Sequence, residues 1–192
     1  IHPGSRIGSK VMLSPGVVIG SGVFLDDEVV VGPNTVIANC TIKRGSIVGA
    51  NCSIGLPGFG FDKDEEGNWW RFPHIGKVLI EENVEIGSNT CIDRGSIGNT
   101  VICNGAKIDN LVHIAHNVIV GAHSIVIANT MVGGSASIGD HVWIAPSVSI
   151  MNHVSVGNRA LLGMGAVILN NVEESNVMVG NPAGILRKKD IE

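Results

Sequence analysis

From Ile102 onward every sixth residue is a branched aliphatic: Ile102, Ile108, Ile114, Val120, Val126, Val132, Ile138, Ile144, Ile150, Val156, Leu162 and Ile168. Four places after each stands a small or β-branched residue, among them Ala106, Val112, Ser124, Thr130, Ala136, Ala160 and Val172. A helix repeats every 3.6 residues and a strand every two, so neither alone holds a period of six over so many units. A short strand followed by a tight turn does. Three such units close a triangular coil, residues 18 apart stack, and neighbouring coils lie about 4.8 Å apart, the spacing of hydrogen-bonded strands. The pattern predicts an all-β chain, a parallel β-helix. Its aliphatic column fills the prism and its small residues sit where the walls converge. One coil buries little by itself, so the stacking of coils supplies the stability.

The same hexad opens the chain at Ile1, Ile7, Leu13, Ile19, Leu25, Val31 and Ile37, shifts to Ile42, Val48 and Ile54, and resumes at Ile80, Ile86 and Ile92. Residues 56–77, LPGFGFDKDEEGNWWRFPHIGK, fit no hexad and are expected to leave the prism as a loop. That loop carries Phe59, Phe61, Trp69, Trp70 and Phe72, most of the aromatic residues of the chain. Long loops commonly carry function, and an aromatic patch of this size is seldom left to solvent. The expectation is that it packs on a neighbouring subunit and that Phe59, Phe61 and Trp69 contact substrate. A smaller slip falls at Gly98 to Val101. The register ends near Val172, which sets the predicted organisation as a β-helix domain over 1–172, with the 56–77 insertion, and a tail over 173–192.

Composition narrows the function classes. A formal charge of −4 on 192 residues leaves no electrostatic footprint for nucleic acid or anionic membrane. No apolar run approaches the roughly 18 residues of a membrane span, and no signal-peptide layout opens the chain, which begins at Ile1 as if upstream residues had been removed. Cys40, Cys52, Cys91 and Cys103 form no CxxC pair, as expected of reduced thiols in a cytoplasmic protein.

The 18-residue coil sorts the seven histidines. His123 and His141 are one coil apart and should stack. His116 shares another corner with Gly134 and Asn152, each one coil further on, and His153 follows Asn152. His116, Gly134 and His153 should therefore line one prism edge within about 10 Å, two strand spacings. A neutral imidazole is a suitable base for an attacking amine. A glycine amide free of side-chain crowding suits a developing oxyanion. A lone turn histidine is more often merely solvated; Asp109 and Asn110 one hexad earlier and Gly134 one coil later favour a site.

The run TCIDRGSIGNTVICNGAKIDNLVHIAHNVIVGAHS, preceded by GFGFDKDEEGNWWRFPHIGKV, resembles the UDP-3-O-acylglucosamine N-acyltransferases of lipid A (lipopolysaccharide) synthesis, over most of the chain from Ile1 to about His153. The resemblance implies a left hand for the β-helix, a homotrimer with sites in clefts between subunits, and a nucleotide-linked amino sugar as acceptor. It implies His116 as catalytic base, Gly134 as oxyanion-hole amide and His153 as a further site residue; Asp109, Asn110 and Asn152, near them in the coil count, are expected to contact the substrate. Two features depart from that family. Nothing corresponding to its N-terminal uridine-binding domain precedes Ile1, and the ending GMGAVILNNVEESNVMVGNPAGILRKK is similar to coenzyme A-dependent sugar acetyltransferases instead of an extension associated with acyl carrier protein.

That tail places Gly180, Asn181, Pro182 and Ala183 where a coenzyme could approach the backbone closely. Arg187, Lys188 and Lys189 are its candidate phosphate partners; the bland alternative is a solvated chain end. Read from sequence alone, the leading function is transfer of an acetyl or other short acyl group from acyl-coenzyme A to the amine of a nucleotide-linked sugar. The second is true lipid A N-acylation with acyl carrier protein as donor. A three-histidine zinc enzyme on this fold would need a histidine pair about five residues apart, and neither His113 with His116 nor His116 with His123 supplies it, so no metal is expected. An inert, antifreeze-like solenoid would show outward threonine ladders, and none appears.

Overall fold

A computed structural model describes residues 1–188; Lys189, one of the three candidate phosphate partners, and the residues after it lie outside the described part. Two-residue strands alternate with tight turns along almost the whole chain and stack into three long sheets, two of eight strands and one of ten. The first face runs from Arg6–Ile7 to Ser155–Val156. The second runs from Met12–Leu13 to Leu161–Leu162 and on to Asn176–Val179 and Gly184–Lys188. The third runs from Val18–Ile19 to Val167–Ile168. Every pairing inside the coils is parallel, as in His113↔Met131 and Ile114↔Val132. The architecture is a left-handed parallel β-helix. No helix among the described residues is long and apolar enough to cross a membrane.

The hexad reads directly onto the core. Ile102, Ile114, Ile138, Ile144 and Ile150 are fully buried, and each outward neighbour in the strand is exposed or half-buried. Burying one such side chain contributes about 1.5–3 kcal/mol, so the column as a whole is the principal cohesive element. Where the small-residue column carries a hydroxyl, it is satisfied twice over. Ser124 Oγ donates to Gly139 O at 2.7 Å and accepts from Val142 N at 2.9 Å. Thr90 makes the same pair with Asp109 O and Val112 N. A buried hydroxyl without such partners would cost a few kcal/mol. The turns require left-handed backbone, and Asn117, His123, Asn129, Ser135, His141, Ser147, His153 and Arg159 all adopt φ between 55° and 62°. Short polar side chains tolerate that region best, which explains the Asn and Ser at this step of the hexad.

The loop leaves the third face after Ser53–Pro57, folds as an antiparallel hairpin of Phe61–Lys63 against Trp69–Arg71, and returns at Val78–Ile80. Its return segment lies on the second interruption: Ile75 N donates to Ser96 O at 2.8 Å and Gly76 N to Gly95 O at 3.0 Å. A Cβ at Gly76 would run into the Gly98 carbonyl oxygen. The irregularities read separately in the sequence are thus one device, a widened corner one coil below His116. At the other end, Val177 and Met178 pair with Leu161 and Leu162, so the second face continues past Val172, and Gly184–Lys188 folds back antiparallel on that strand.

Candidate active site at the interrupted corner

His116 occupies the corner between the third and first faces, just after the strand His113–Ile114. Its Nδ1 lies 3.1 Å from Asn117 Oδ1. That oxygen also accepts the Ser96 backbone N–H and the Ser96 hydroxyl, both at 2.9 Å. An atom accepting a backbone N–H must be the amide oxygen of Asn117, so it can only accept from His116 as well. Nδ1 therefore carries a proton, and in the neutral ring Nε2 presents its lone pair. The residue facing Nε2 is Gly134: a Cβ built there would fall 2.7 Å from Nε2. The Gly134 N–H donates to the side-chain oxygen of Asn152 at 3.1 Å, whereas the neighbouring Gly133 and Ser135 N–H groups bond to the backbone carbonyls of Ile150 and His116. Of these three amides, Gly134's is the one held by a group that can swing away.

A cavity of about 210 Å³ opens against His116, lined by Gly60, Phe61, Asp62, Phe72, His74 and Ser96. Phe61 also borders a second, apolar pocket of about 390 Å³ with Phe59 and Trp69, so the aromatic loop and the His116 corner are contiguous. Phe59 is 86% exposed and Trp69 66%. Arg71 lies over the Phe61 ring at 4.7 Å, its Nη1 donating to Gly58 O at 3.1 Å.

Two ionisable residues absent from the sequence-based site join it here. His74, 3% exposed, stands edge-on to His116 with ring centroids 5.3 Å apart. Its Nδ1 lies 3.1 Å from the Phe72 carbonyl oxygen and so carries the ring proton, while Nε2 is buried without a partner among the described residues. Asp93 Oδ2 lies 3.7 Å from His113 Nε2. Burial pushes the Asp93 carboxyl above the usual carboxylate range, and His113, His116 and His74 pull in the opposite direction.

Of the other candidates, His153 shares this corner and the rest stand elsewhere. His153 donates its backbone N–H to Gly134 O at 3.0 Å and its ring is exposed. Asp109 and Asn110 sit on the corner between the second and third faces, not on that of His116. There Asp109 Oδ1 accepts from Asn110 N at 2.7 Å and Oδ2 from Ala128 N at 3.2 Å, while Asn110 Oδ1 accepts from Ser88 N at 2.7 Å. Within one chain these side chains bridge turns. The segment Gly180, Asn181, Pro182, Ala183 continues that same corner: Val167 N donates to Gly180 O and Ala183 N to Val167 O. It lies four coils beyond Asp109, about 19 Å along the axis. Arg187 and Lys188 are exposed on the terminal strand. His123 and His141 stack as expected, 5.3 Å apart and 19° from parallel. Among the described residues no group of three His, Cys, Asp or Glu is arranged to hold a metal ion.

Residues 135–170 match the family model for the bacterial transferase hexapeptide (six repeats), and the triangular coil extends that repeat along the chain. It is a hexapeptide-repeat solenoid. The solenoid is 55% identical over 130 residues to UDP-3-O-acylglucosamine N-acyltransferase 2 of Legionella pneumophila, covering 68% of this chain and 38% of the relative. It is 51% identical over 82 residues to UDP-3-O-acylglucosamine N-acyltransferase of Coxiella burnetii, covering 43% of this chain and 24% of the relative. The matches thus span well under half of these relatives' length. A crystal structure of UDP-N-acetylglucosamine acyltransferase superposes with TM-score 0.88 at 23% identity, over 96% of this chain and 70% of that one. Another, from Acinetobacter baumannii, gives 0.66 at 22% identity, over 97% and 73%. Both show a shared fold.

In the hexapeptide-repeat frame His74, Asp93 and Ser96 escape the 18-residue count because the loop and the slip intervene. The one signal pointing to them is that both interruptions fall at a single corner, directly before the coil of His116.

Proposed function

We propose that this chain is the solenoid of an N-acyltransferase that moves an acyl group from a thioester to the amine of a UDP-linked, 3-O-acylated glucosamine. The reading rests above all on the lone pair of His116 Nε2, directed at the Gly134 edge by the Ser96–Asn117 bonds. The names of the most similar relatives supply the acceptor class. In the reaction the amine nitrogen attacks the thioester carbonyl and its proton passes to His116 Nε2. The carbonyl oxygen, now negative, takes the Gly134 N–H as Asn152 Oδ1 gives it up. The C–S bond then breaks and the departing thiolate recovers the proton from His116. His153, on the corner turn that follows Gly134 and two coils beyond His116, would face the donor.

A homotrimer is the assembly that fits the rest. The apolar Phe59, Phe61 and Trp69 pocket is too exposed for a finished surface, and packing corner against corner would bring a neighbour's Asp109 and Asn110 row, with its Gly180 segment, toward His116. Thioester donors of this kind are cytoplasmic, which is where the enzyme would act.

The relatives' names give the acceptor and leave the donor open; with that acceptor, acyl carrier protein as donor is taken as the first reading. A short acyl group from coenzyme A stays as the second reading, because Gly180 to Ala183 and the exposed Arg187 and Lys188 offer backbone and positive charge to a nucleotide phosphate. Incubation of the protein with UDP-3-O-acylglucosamine and either hydroxyacyl-acyl carrier protein or acetyl-coenzyme A, followed by mass spectrometry, separates them by the mass gained. His116→Ala should lower turnover by about two powers of ten or more; full activity in that variant overturns the mechanism.

A further inference from the structure

Beside His116 is a charged group that no step above uses. Asp93 sits on the strand Cys91–Arg94, where the register slips between Ile92 and Asp93 and turns the carboxylate to the widened corner. A Cβ built on Gly58 would fall 3.2 Å from Asp93 Oδ2, 3.1 Å from His74 Nε2 and 3.3 Å from His116 Cβ. The Asp93 carboxylate, the His74 imidazole and the Cβ of His116 therefore converge on a single glycine of the loop, and a larger residue there would force them apart. The Asp93 carboxylate accepts no hydrogen bond from the described residues; its nearest partner is His113 Nε2 at 3.7 Å, on a side chain 45% exposed and so screened by water. A half-buried carboxylate without donors is an expensive structural feature, and nothing in the coil's packing requires it.

We propose that Asp93 is a positioning residue for His116, whose negative charge holds the imidazolium that His116 becomes on taking the amine proton. The inference rests on the acyltransfer reading and adds a residue to it. The proton balance is unchanged: it moves from the amine to His116 Nε2 and on to the thiolate, while Asp93 stays ionised and acts only through its field. That field is strongest where water is excluded, and the loop carrying Gly58, Phe72 and the buried His74 covers this side of His116. The charged and titratable groups around His116 are Asp93 and Arg94 from the strand below, His113 from its own strand, Asp62, Arg71 and His74 from the loop, and His153 two coils on. Among them Asp62 is exposed, which leaves Asp93 as the partly buried negative charge.

The test is an NMR titration of the histidine side chains in the intact protein, with the His116 signal identified by its loss in His116→Ala, beside the pH profile of kcat/KM. Asp93→Asn keeps shape and removes the charge. It should move the His116 titration midpoint, and the acid limb of the profile with it, down by on the order of one pH unit, and lower the plateau rate about tenfold. His74→Gln keeps the loop packed and should not move the midpoint downward. A rate loss in Asp93→Asn with an unmoved His116 midpoint overturns the proposal, as does a downward shift of equal size in Asp62→Asn. Because the titration needs no substrate, its outcome stands apart from the acyltransfer reading, which falls instead if His116→Ala retains activity.

Discussion

Gly134→Ala adds one methyl group beside the proposed base. The built Cβ lies 2.7 Å from His116 Nε2 and 2.8 Å from Cε1, against an ordinary carbon–nitrogen contact of roughly 3.4 Å. The ring must retreat by about 0.7 Å or rotate, and a misplacement of about 1 Å in a reacting group costs on the order of a hundredfold in rate, about 2.7 kcal/mol in barrier. Gly134 is not among the left-handed glycines, so alanine strains no backbone angle. Its smaller unfolded-state entropy adds about 0.4–1 kcal/mol to stability. Thermal melting should therefore stay within a few degrees of wild type while N-acyl product, followed by mass spectrometry at saturating donor, falls about a hundredfold. Activity within threefold of wild type would refute the reasoning. A Tm loss above roughly 5 °C would do so as well, since the methyl group would then be disrupting the coil and not the base.

Asn152→Asp converts the bond on the Gly134 N–H into a charge-assisted one and sets a negative charge against the developing oxyanion. Turnover should fall by about two powers of ten with the fold intact by circular dichroism, and an unchanged rate would remove Gly134 from the oxyanion role. Asp93→Asn should also raise Tm at pH 7–8. Burial lifts the folded carboxyl above its unfolded value, so ionisation above that range costs stability in the native state. The gain should shrink as pH falls through the raised range of the folded carboxyl and be gone below about 4, where the unfolded carboxyl is protonated too; a Tm difference independent of pH would show a packing effect instead. Among the thiols, Cys40 is buried and burial holds it protonated far above the usual range, whereas Cys91 is exposed with a thiol raised more modestly by burial and by Asp93. A thiol-exchange reagent should modify Cys91 in the native protein, faster toward alkaline pH, and reach Cys40 only after denaturation. Release from Cys40 in the folded state would contradict its place in the core.

The hexad by itself determined the coil, its core column and the alignment of His116, Gly134 and Asn152, because a rigid six-residue unit makes contact a matter of counting by 18. It could not carry that count through residues 56–77 or the slip at Gly98, so His74, Asp93 and Ser96 became neighbours of His116 only in three dimensions. Nor could it reveal that Asn117 locks the His116 tautomer, since that depends on which atom of an amide meets the Ser96 N–H. Asp109 and Asn110 show the converse. They lie within a few residues of His116 in the chain, yet a whole wall of the prism separates them in space. Along a β-helix, sequence neighbours are carried to different corners while residues a full coil apart touch. Periodicity therefore specifies the solenoid, and only the tertiary structure decides which interruptions of it meet to make a site.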